Sequence, residues 1–595
     1  MTEPRAERLA NVGDRALSWG VAFACLAFAV LLYVHGGQDD TYITYWAAHS
    51  FSETGLPLNY NGELVEQSSS LGLVVLLGGL RAITRLDVPL LGWMVSLGLF
   101  VWSVLLVNRL ARRFVAPGAA RWFAAAAGTV PCYAYWSTSG METPLVVVAS
   151  LLALSELSRV AVEPVRGWRA HARSFTSFFV LASARPETPL LAVGLVAVAA
   201  VWTASAGRLS RSASSLVSCL AGVAALVGLR LALYGQWVPN PASIKQHGFD
   251  PIGGLFYLLH AAAVSNPILL AVGLLGAGVV LSRLIRRLRR AGGDEEGVPE
   301  DLEGARRKVL LVLLSALAGA YLAFMVASGG DWMRGGRFFA LLAPSLVLLS
   351  AALAGMATSP RVPRMLGVTL LLTHLVTSVH FLRTERPEGR LLTTAFAAVE
   401  KVRPRVDAAF WSFELTNKVH ARDAVLGSEL APLVRRASEA LGRPVTLMSG
   451  QAGLVAFHTF RENPGRARLI DMWGITDRKL LDCLGSRAFK YSIIGASISV
   501  NNALSGLAER GEACGLGGLP DIYFNETLKP QHMTALALHG YMVVYHQTGS
   551  VMNASSERWF PSQNTAEGHI AVRADLARAL GLAPAKPWKW DLDPE

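Results

Sequence analysis

Residues 17–46 read LSWGVAFACLAFAVLLYVHGGQDDTYITYW. An apolar run long enough to cross a bilayer ends in a pair of adjacent acids, and aromatic residues follow at helical spacing. A spanning helix needs roughly 20 apolar residues, with about 17 to 25 tolerated. Arg15 precedes the run, as in a signal peptide. The sequence after it, His35-Gly36-Gly37-Gln38-Asp39, offers no small-residue cleavage site, so the run is expected to be a retained first span. Tyr42, Tyr45, Trp46 and His49 fall on one side of the following helix, and Tyr and Trp suit the headgroup level. Gly55-Leu56-Pro57 is expected to end that helix.

The same pattern of apolar runs repeats toward residue 382. The chain has 595 residues, 52% of them hydrophobic and 16% charged. Soluble domains carry about 25% charge, so the deficit points to spans. Mean hydropathy is +0.38. Spans are expected near 17–34, 88–108, 121–136, 141–158, 174–186, 188–204, 213–234, 265–283, 308–327, 337–356 and 363–382, about eleven in all. The reading is a multi-pass α-helical membrane module over 1–382, with an external loop at 35–87. Residues 383–595 read as a small extracytoplasmic α/β domain.

Charge orients the module. Cytoplasmic flanks are enriched in Lys and Arg. With the N-terminus inside, the inner segments carry Arg5/Arg8/Arg15, Arg109/Arg112/Arg113/Arg121, Arg159/Arg166/Arg169/Arg173, Arg208/Arg211, the stretch from Arg283 to Lys308, and Arg361/Arg364. The outer segments between spans hold Arg81, Arg85, Arg185, Lys245, Arg334 and Arg337. This orientation puts 383–595 outside. It also requires the short apolar stretch 71–83 to be an interfacial or re-entrant helix. The net charge of +12 is scattered between apolar runs, without a basic stripe bearing interleaved aromatics, so nucleic acid is not an expected partner.

In the C-terminal domain, strands are expected at Val445–Met448, Leu469–Ile470, Tyr491–Ile494, Ile522–Phe524 and Met542–Tyr545. Helices are expected at Ala421–Leu441, Arg478–Leu484 and Thr534–Leu538. Cys483 and Cys514 both lie in this external domain, where an oxidising compartment would allow a disulfide. Cys25, Cys132 and Cys219 lie in spans. His458, His539 and His546 lack metal-ligand spacing, and no metal site is expected.

The unusual polar residues of the membrane half collect on its external side. They are Asp39, Asp40 and Glu66 in the first loop, Glu142 in SGMET, and Arg185 and Glu187 in ARPET. Asn240 and Lys245 follow in YGQWVPNPASIK, then Asp331, Arg334 and Arg337 in GGDWMRGGRF. Ionisable groups at membrane depth are costly and usually functional. Paired carboxylates can take the proton from an attacking hydroxyl. Nearby cations can hold a phosphate and stabilise it as it leaves. The set therefore suits a lipid-phosphate donor, with Asp39 and Asp40 catalytic and Lys245, Arg185, Arg337 and Arg334 on the phosphate. Tyr42, Glu66, Glu142, Glu187, Asn240 and Asp331 are the candidate substrate contacts.

The loop QDDTYITYWAAHSFSETGLPLNYNGELVEQSSSLG resembles the first external loop of the GT-C polyprenyl-phosphate-sugar glycosyltransferases. It is nearest the group that contains the mycobacterial terminal β-(1→2)-arabinofuranosyltransferase. The resemblance continues in order through SGMETPL, ARPETPLL, YGQWVPNPASIK and GGDWMRGGRFFALLAP, and extends faintly into LIDMWGITDRKL. It implies that Asp39, or its neighbour Asp40, is the catalytic base. It also implies an inverting displacement at the anomeric carbon with a polyprenyl phosphate departing. The expected donor carries a pentofuranose such as arabinofuranose, the acceptor is a cell-envelope glycan or glycoconjugate, and no cofactor is required, a divalent cation being allowed but not indicated. The expected location is a bacterial inner membrane. Trp46 stands where relatives often carry Arg, and Gln67–Gly72 replaces their Gly and Pro-Leu-Trp, which leaves sugar and acceptor open. Two other classes compete: a transporter of lipids or lipid-linked sugars, and an inactive GT-C scaffold. A transporter would place its ionisable residues mid-span between inverted repeats, whereas here they gather at one face.

Overall fold

The computed structural model describes residues 3–33, 38–163, 167–205, 207–244, 249–290, 301–331, 335–383, 413–450, 452–492, 495–528, 530–547 and 566–585. The chain divides into two compact units. One comprises Met1–Val34, Gly92–Ala232 and Phe249–Ser412; the other comprises His35–Leu91, Leu233–Gly248 and Phe413–Glu595. The sequence boundary at 382/383 assigns the loop 35–87 and the segment around Asn240 to the membrane module. By contacts, both cluster with the C-terminal domain.

The first unit is helical. Its elements are α1 (Glu3–Tyr33), α4 (Val88–Ala111, whose first residues belong to the other unit), α5 (Pro117–Thr129), α6 (Pro131–Ser137), α7 (Thr143–Val160), α8 (Trp168–Ala184), α9 (Thr188–Ser205) and α10 (Leu209–Tyr234). They continue with α12 (Pro251–Ser265), α13 (Pro267–Arg290), α14 (Leu302–Ala327), α15 (Arg337–Ala354) and α16 (Arg361–Arg383). Among the described residues, seven helices are long and apolar enough to cross a membrane. They are α4, α7, α9, α10, α14, α15 and the Val12–Tyr33 part of α1. An eighth results if α12 and α13, bent by 116° at Asn266, form one broken span.

Some of the eleven expected spans fall outside this set for identifiable reasons. The run near 121–136 is interrupted at Pro131, which lacks an N–H and starts a new helix, leaving pieces of 13 and 7 residues. The run near 174–186 lies on a helix of 17 residues, and α16 is not among the seven. Residues 251–265, expected in an external loop, form α12. The charged ends of the spans are tied locally: Asp14 near the start of α1 pairs with Arg112 and Arg121. Helix α15 is buried along nearly its whole length, as is α7.

The second unit contains α2 (Asp39–Thr54), α3 (Leu71–Thr84), α11 (Asn240–Ile244), α17 (Phe413–Leu441) and α18 (Leu454–Glu462). Ser70 caps α3 by accepting from the Leu73 amide, and the expected short helix at 71–83 forms with 14 residues. The sheet runs β1 (Val445–Ser449), β2 (Ala467–Asp471), β5 (Ile522–Leu528), β6 (Tyr541–Gln547) and β7 (Ala566–Arg573), in the order β2-β1-β5-β7-β6. Strand β1 is parallel to β2 and β5, and β7 is antiparallel to β5 and β6. A separate hairpin joins β3 (Lys490–Ser492) to β4 (Gly495–Ser497).

Side chains alternate across the sheet, as strand geometry requires. Leu447, Ile522 and Phe524 enter one core with Leu430 and Val434 of α17 and Val455 of α18. Met448 and Tyr523 enter the other with Leu504 and Leu507. Each expected strand lies on an observed one, although Ile494 falls outside the described residues. Strands β4 and β7 and helix α18 were not foreseen. Cys483 and Cys514 are joined by a disulfide, with Cα atoms 5.7 Å apart.

Candidate functional site

In the first unit, three of the segments picked out by sequence meet at one buried charge cluster. Glu142 precedes α7, Arg185 and Glu187 occupy the corner between α8 and α9, and Asp331 and Arg337 flank the entry to α15. The Arg185 guanidinium donates through Nη1 to Glu142 and through Nε to Glu187, the latter at 2.6 Å. Arg337 takes Asp331 side-on, Nε to Oδ2 at 2.6 Å and Nη2 to Oδ1 at 3.2 Å. The ring of Phe338 links the two pairs, with the Arg185 Cζ 5.3 Å and the Arg337 Cζ 5.5 Å from its centroid. Trp136 stacks on Arg337 at 5.8 Å and donates its indole N–H to the Gly335 carbonyl at 3.0 Å.

The loop that delivers Asp331 depends on glycine. Gly330 sits at φ +86 and a side chain there would strike the Tyr257 ring. The Tyr257 hydroxyl accepts from the Phe338 amide at 3.1 Å. Three carboxylates thus face two guanidinium groups, and all the named side chains of Arg185, Glu142, Arg337 and Asp331 are under 10% exposed. Both arginines assigned to phosphate by sequence already hold acids. Lys245 and Arg334 lie outside the described residues.

Glu187 also stands at the end of an apolar slot between α9 and α14, about 360 Å³ in volume. Leu191, Gly194, Ala316, Ala320 and Tyr321 line it. Among the described residues, the buried Tyr321 hydroxyl has no hydrogen-bond partner. Nothing in the sequence pattern marks Trp136, Tyr257, Tyr321 or Phe338 as site residues. Only Phe338 sits in a quoted motif, directly after Arg337.

In the second unit, the acid pair opens α2. Asp39 Oδ1 accepts from the Leu454 amide at 2.6 Å, at the N-terminus of α18. Asp40 is half-buried. Tyr42 is buried, with its ring edge-on to Phe457 at 5.4 Å. Glu66 is buried, and its backbone carbonyl accepts from the Asn240 amide at 3.0 Å. Asn240 in turn donates through Nδ2 to the carbonyls of Gly474 and Ile475, both at 2.7 Å.

The Asn59-Tyr60-Asn61 motif serves the same turn. Asn59 Nδ2 donates to the Thr476 carbonyl at 3.0 Å. Asn61 pairs with Leu469 at both backbone atoms and donates to Asp477. Tyr60 stacks on Trp46 at 4.9 Å. Asp471 closes the turn from inside, accepting from the amides of Trp473 and Thr476 and from the Thr476 hydroxyl. Burial pushes the Asp471 carboxyl up to about 6, against the lowering effect of those bonds. Among the described residues, no group of three or more His, Cys, Asp or Glu side chains could hold a metal ion.

No protein-family model matches the sequence, and no curated protein matches it. Solved structures do. ArnT from Cupriavidus metallidurans bound to undecaprenyl phosphate superposes with a TM-score of 0.50 at 13% identity, over 95% of this chain and 99% of that one. The apo form of the same protein gives 0.49 at 13% identity with the same coverage. The oligosaccharyltransferase AglB from Archaeoglobus fulgidus, in complex with an inhibitory peptide and a dolichol-phosphate, gives 0.46 at 12% identity. That match covers 86% of this chain and 69% of AglB. At such identities the likeness to ArnT concerns the fold alone. The chain has a multi-pass α-helical membrane fold like that of ArnT, with a small α/β C-terminal domain.

Proposed function

We propose that the protein is a membrane glycosyltransferase that moves a sugar from a polyprenyl-phosphate donor to a cell-envelope glycan or glycoconjugate. The observation that carries this reading is the junction at Glu187, where a buried charge cluster meets an apolar slot. A lipid phosphate has the same two-part character, an anionic head on a hydrocarbon chain. Apolar pockets with a few convergent polar groups are the usual form of ligand sites. The donor's pentofuranose, which rests on the resemblance in the first loop, is part of the proposal, as is an inner-membrane location with the C-terminal domain extracytoplasmic.

The roles follow from the chemistry. Asp39 or Asp40 takes the proton of the acceptor hydroxyl as it attacks the anomeric carbon. The bond to phosphate breaks, the configuration inverts, and the lipid phosphate departs with the electron pair. Lys245 and Arg334 bind that phosphate as simple cations. Arg185 and Arg337 act on it from within their ion pairs, so their contribution is set by Glu142, Glu187 and Asp331. Tyr42, Glu66 and Asn240 contact substrate or shape the loops that do.

A photoreactive polyprenyl phosphate tests the reading on the purified full chain. It is expected to label the peptides of α9 and α14, and Gly194→Leu, which fills the slot, is expected to abolish the labelling. Labelling elsewhere, unaffected by Gly194→Leu, would reject the slot as the carrier's site.

A further inference from the structure

The end of α18 in the C-terminal domain meets the candidate base directly. Asp39 is the first residue of α2, yet its carboxylate serves as the cap of another helix. Gly453, at the N-cap position of α18, has no side chain with which to cap it, and the Leu454 amide donates to Asp39 Oδ1 at 2.6 Å. A β-carbon on Gly453 would fall far inside contact distance of the Asp39 carboxylate and its backbone carbonyl. The approach is close because position 453 has no side chain. Around it the two helices are locked by rings, Tyr42 against Phe457 at 5.4 Å and Trp46 against Phe460 at 5.9 Å.

We propose that Gly453 and the Leu454 amide form a seat that fixes the Asp39 carboxylate, so that the C-terminal domain positions the base of the reaction. The inference rests on the transferase reading above and adds to it a part that the domain plays. Gly453 is a positioning residue: it acts through Asp39 and touches no reacting atom. A base displaced by about 1 Å can lose on the order of a hundredfold in rate. A carboxylate held by a main-chain N–H at a helix N-terminus is fixed both by the bond and by the local positive potential.

The test uses the full-length protein carrying Gly453→Ala, Asp39→Asn, Asp39→Ala, or Gly453→Ala with Asp39→Asn. Gly453→Ala is expected to lower kcat by about a hundredfold with the donor KM unchanged. Added to Asp39→Asn it is expected to cause little further loss, since both act through one carboxylate. An unchanged kcat in Gly453→Ala, or losses that multiply in the double variant, overturns the seat. Hydrogen exchange at the Leu454 amide decides the matter without turnover. In Asp39→Asn the amide oxygen still accepts the bond, so protection is expected to persist there and to vanish in Asp39→Ala. Equal exchange in all three forms overturns the seat even if the protein transfers no sugar. Absence of transfer with the exchange pattern intact rejects the transferase reading and leaves the seat standing.

Discussion

The Arg185 guanidinium donates to the Glu142 carboxylate from a position where both side chains are almost wholly buried, 7% and 5% exposed. Burying two ions carries a desolvation penalty that only close pairing offsets. Removing one partner therefore strands the other, at a typical loss of about 3 to 5 kcal/mol. Glu142→Gln and Arg185→Met are each expected to lower the thermal stability of the purified protein. The paired double variant is expected to regain stability without regaining turnover. Recovery of both in the double would show that the cluster is structural and has no part in handling phosphate.

A second expectation concerns the turn at 471–477. Asn240 satisfies two of its carbonyls, and Asn61, from a different loop, bonds the Leu469 backbone just before it and the Asp477 side chain. Leaving a buried polar group unpaired costs about 1 to 3 kcal/mol. Asn61→Ala and Asn240→Ala are each expected to lower stability by that order, and Lys479→Ala by less. Lys479 pairs with Glu63, but both are partly exposed, and such pairs contribute little. Thermal unfolding of the three variants ranks them, and a larger loss in Lys479→Ala would contradict the assignment.

The third is a pH dependence. Burial raises the Asp471 carboxyl from 3.8 to about 6, and Asp477 is shifted in the same direction by the same cause. The folded state therefore binds these protons more tightly than the unfolded chain. The Asp471 contribution to stability is complete below about pH 4 and is lost as pH rises through about 6. Asp471→Asn is expected to flatten the slope of stability against pH over that window. An identical slope in the variant and the wild type would contradict the shift.

The fourth concerns the disulfide, whose cysteines are separated by 31 positions. Closing a loop of that size stabilises by about 2 to 4 kcal/mol. Reduction, or Cys483→Ser, is expected to lower stability accordingly, and mass spectrometry under non-reducing conditions checks the linkage. Two free thiols in exported protein would contradict it.

The sequence carried different parts of the molecule with different clarity. Long apolar runs identified most of the spans, because hydropathy is a local property. Proline breaks and the bend at Asn266 were less legible, because they depend on packing around short helices. The motifs SGMET, ARPET and GGDWMRGGRF were recognised as polar segments, but their pairing was not. Which acid meets Arg185 is set by the corners of α7, α8 and α9, and no spacing rule reports it. Gly453 and Asp471 were missed for the same reason: their partners lie hundreds of residues away, or within a turn whose burial only the folded domain reveals. The clue available was the faint resemblance over LIDMWGITDRKL, the segment to which Asn59, Asn61 and Asn240 turn out to bind.

The most direct measurement is turnover of defined donors by the purified full chain in lipid nanodiscs. The panel would contain polyprenyl phosphates bearing arabinofuranose, other pentoses and hexoses, with an envelope glycan as acceptor. The account predicts transfer with release of polyprenyl phosphate, best for a pentofuranose. It also predicts a loss of about a hundredfold or more in Asp39→Asn, the scale of general base catalysis, and a clear loss in Asp40→Asn. Consumption of no donor by the wild type, or transfer at the same rate in both variants, would contradict it.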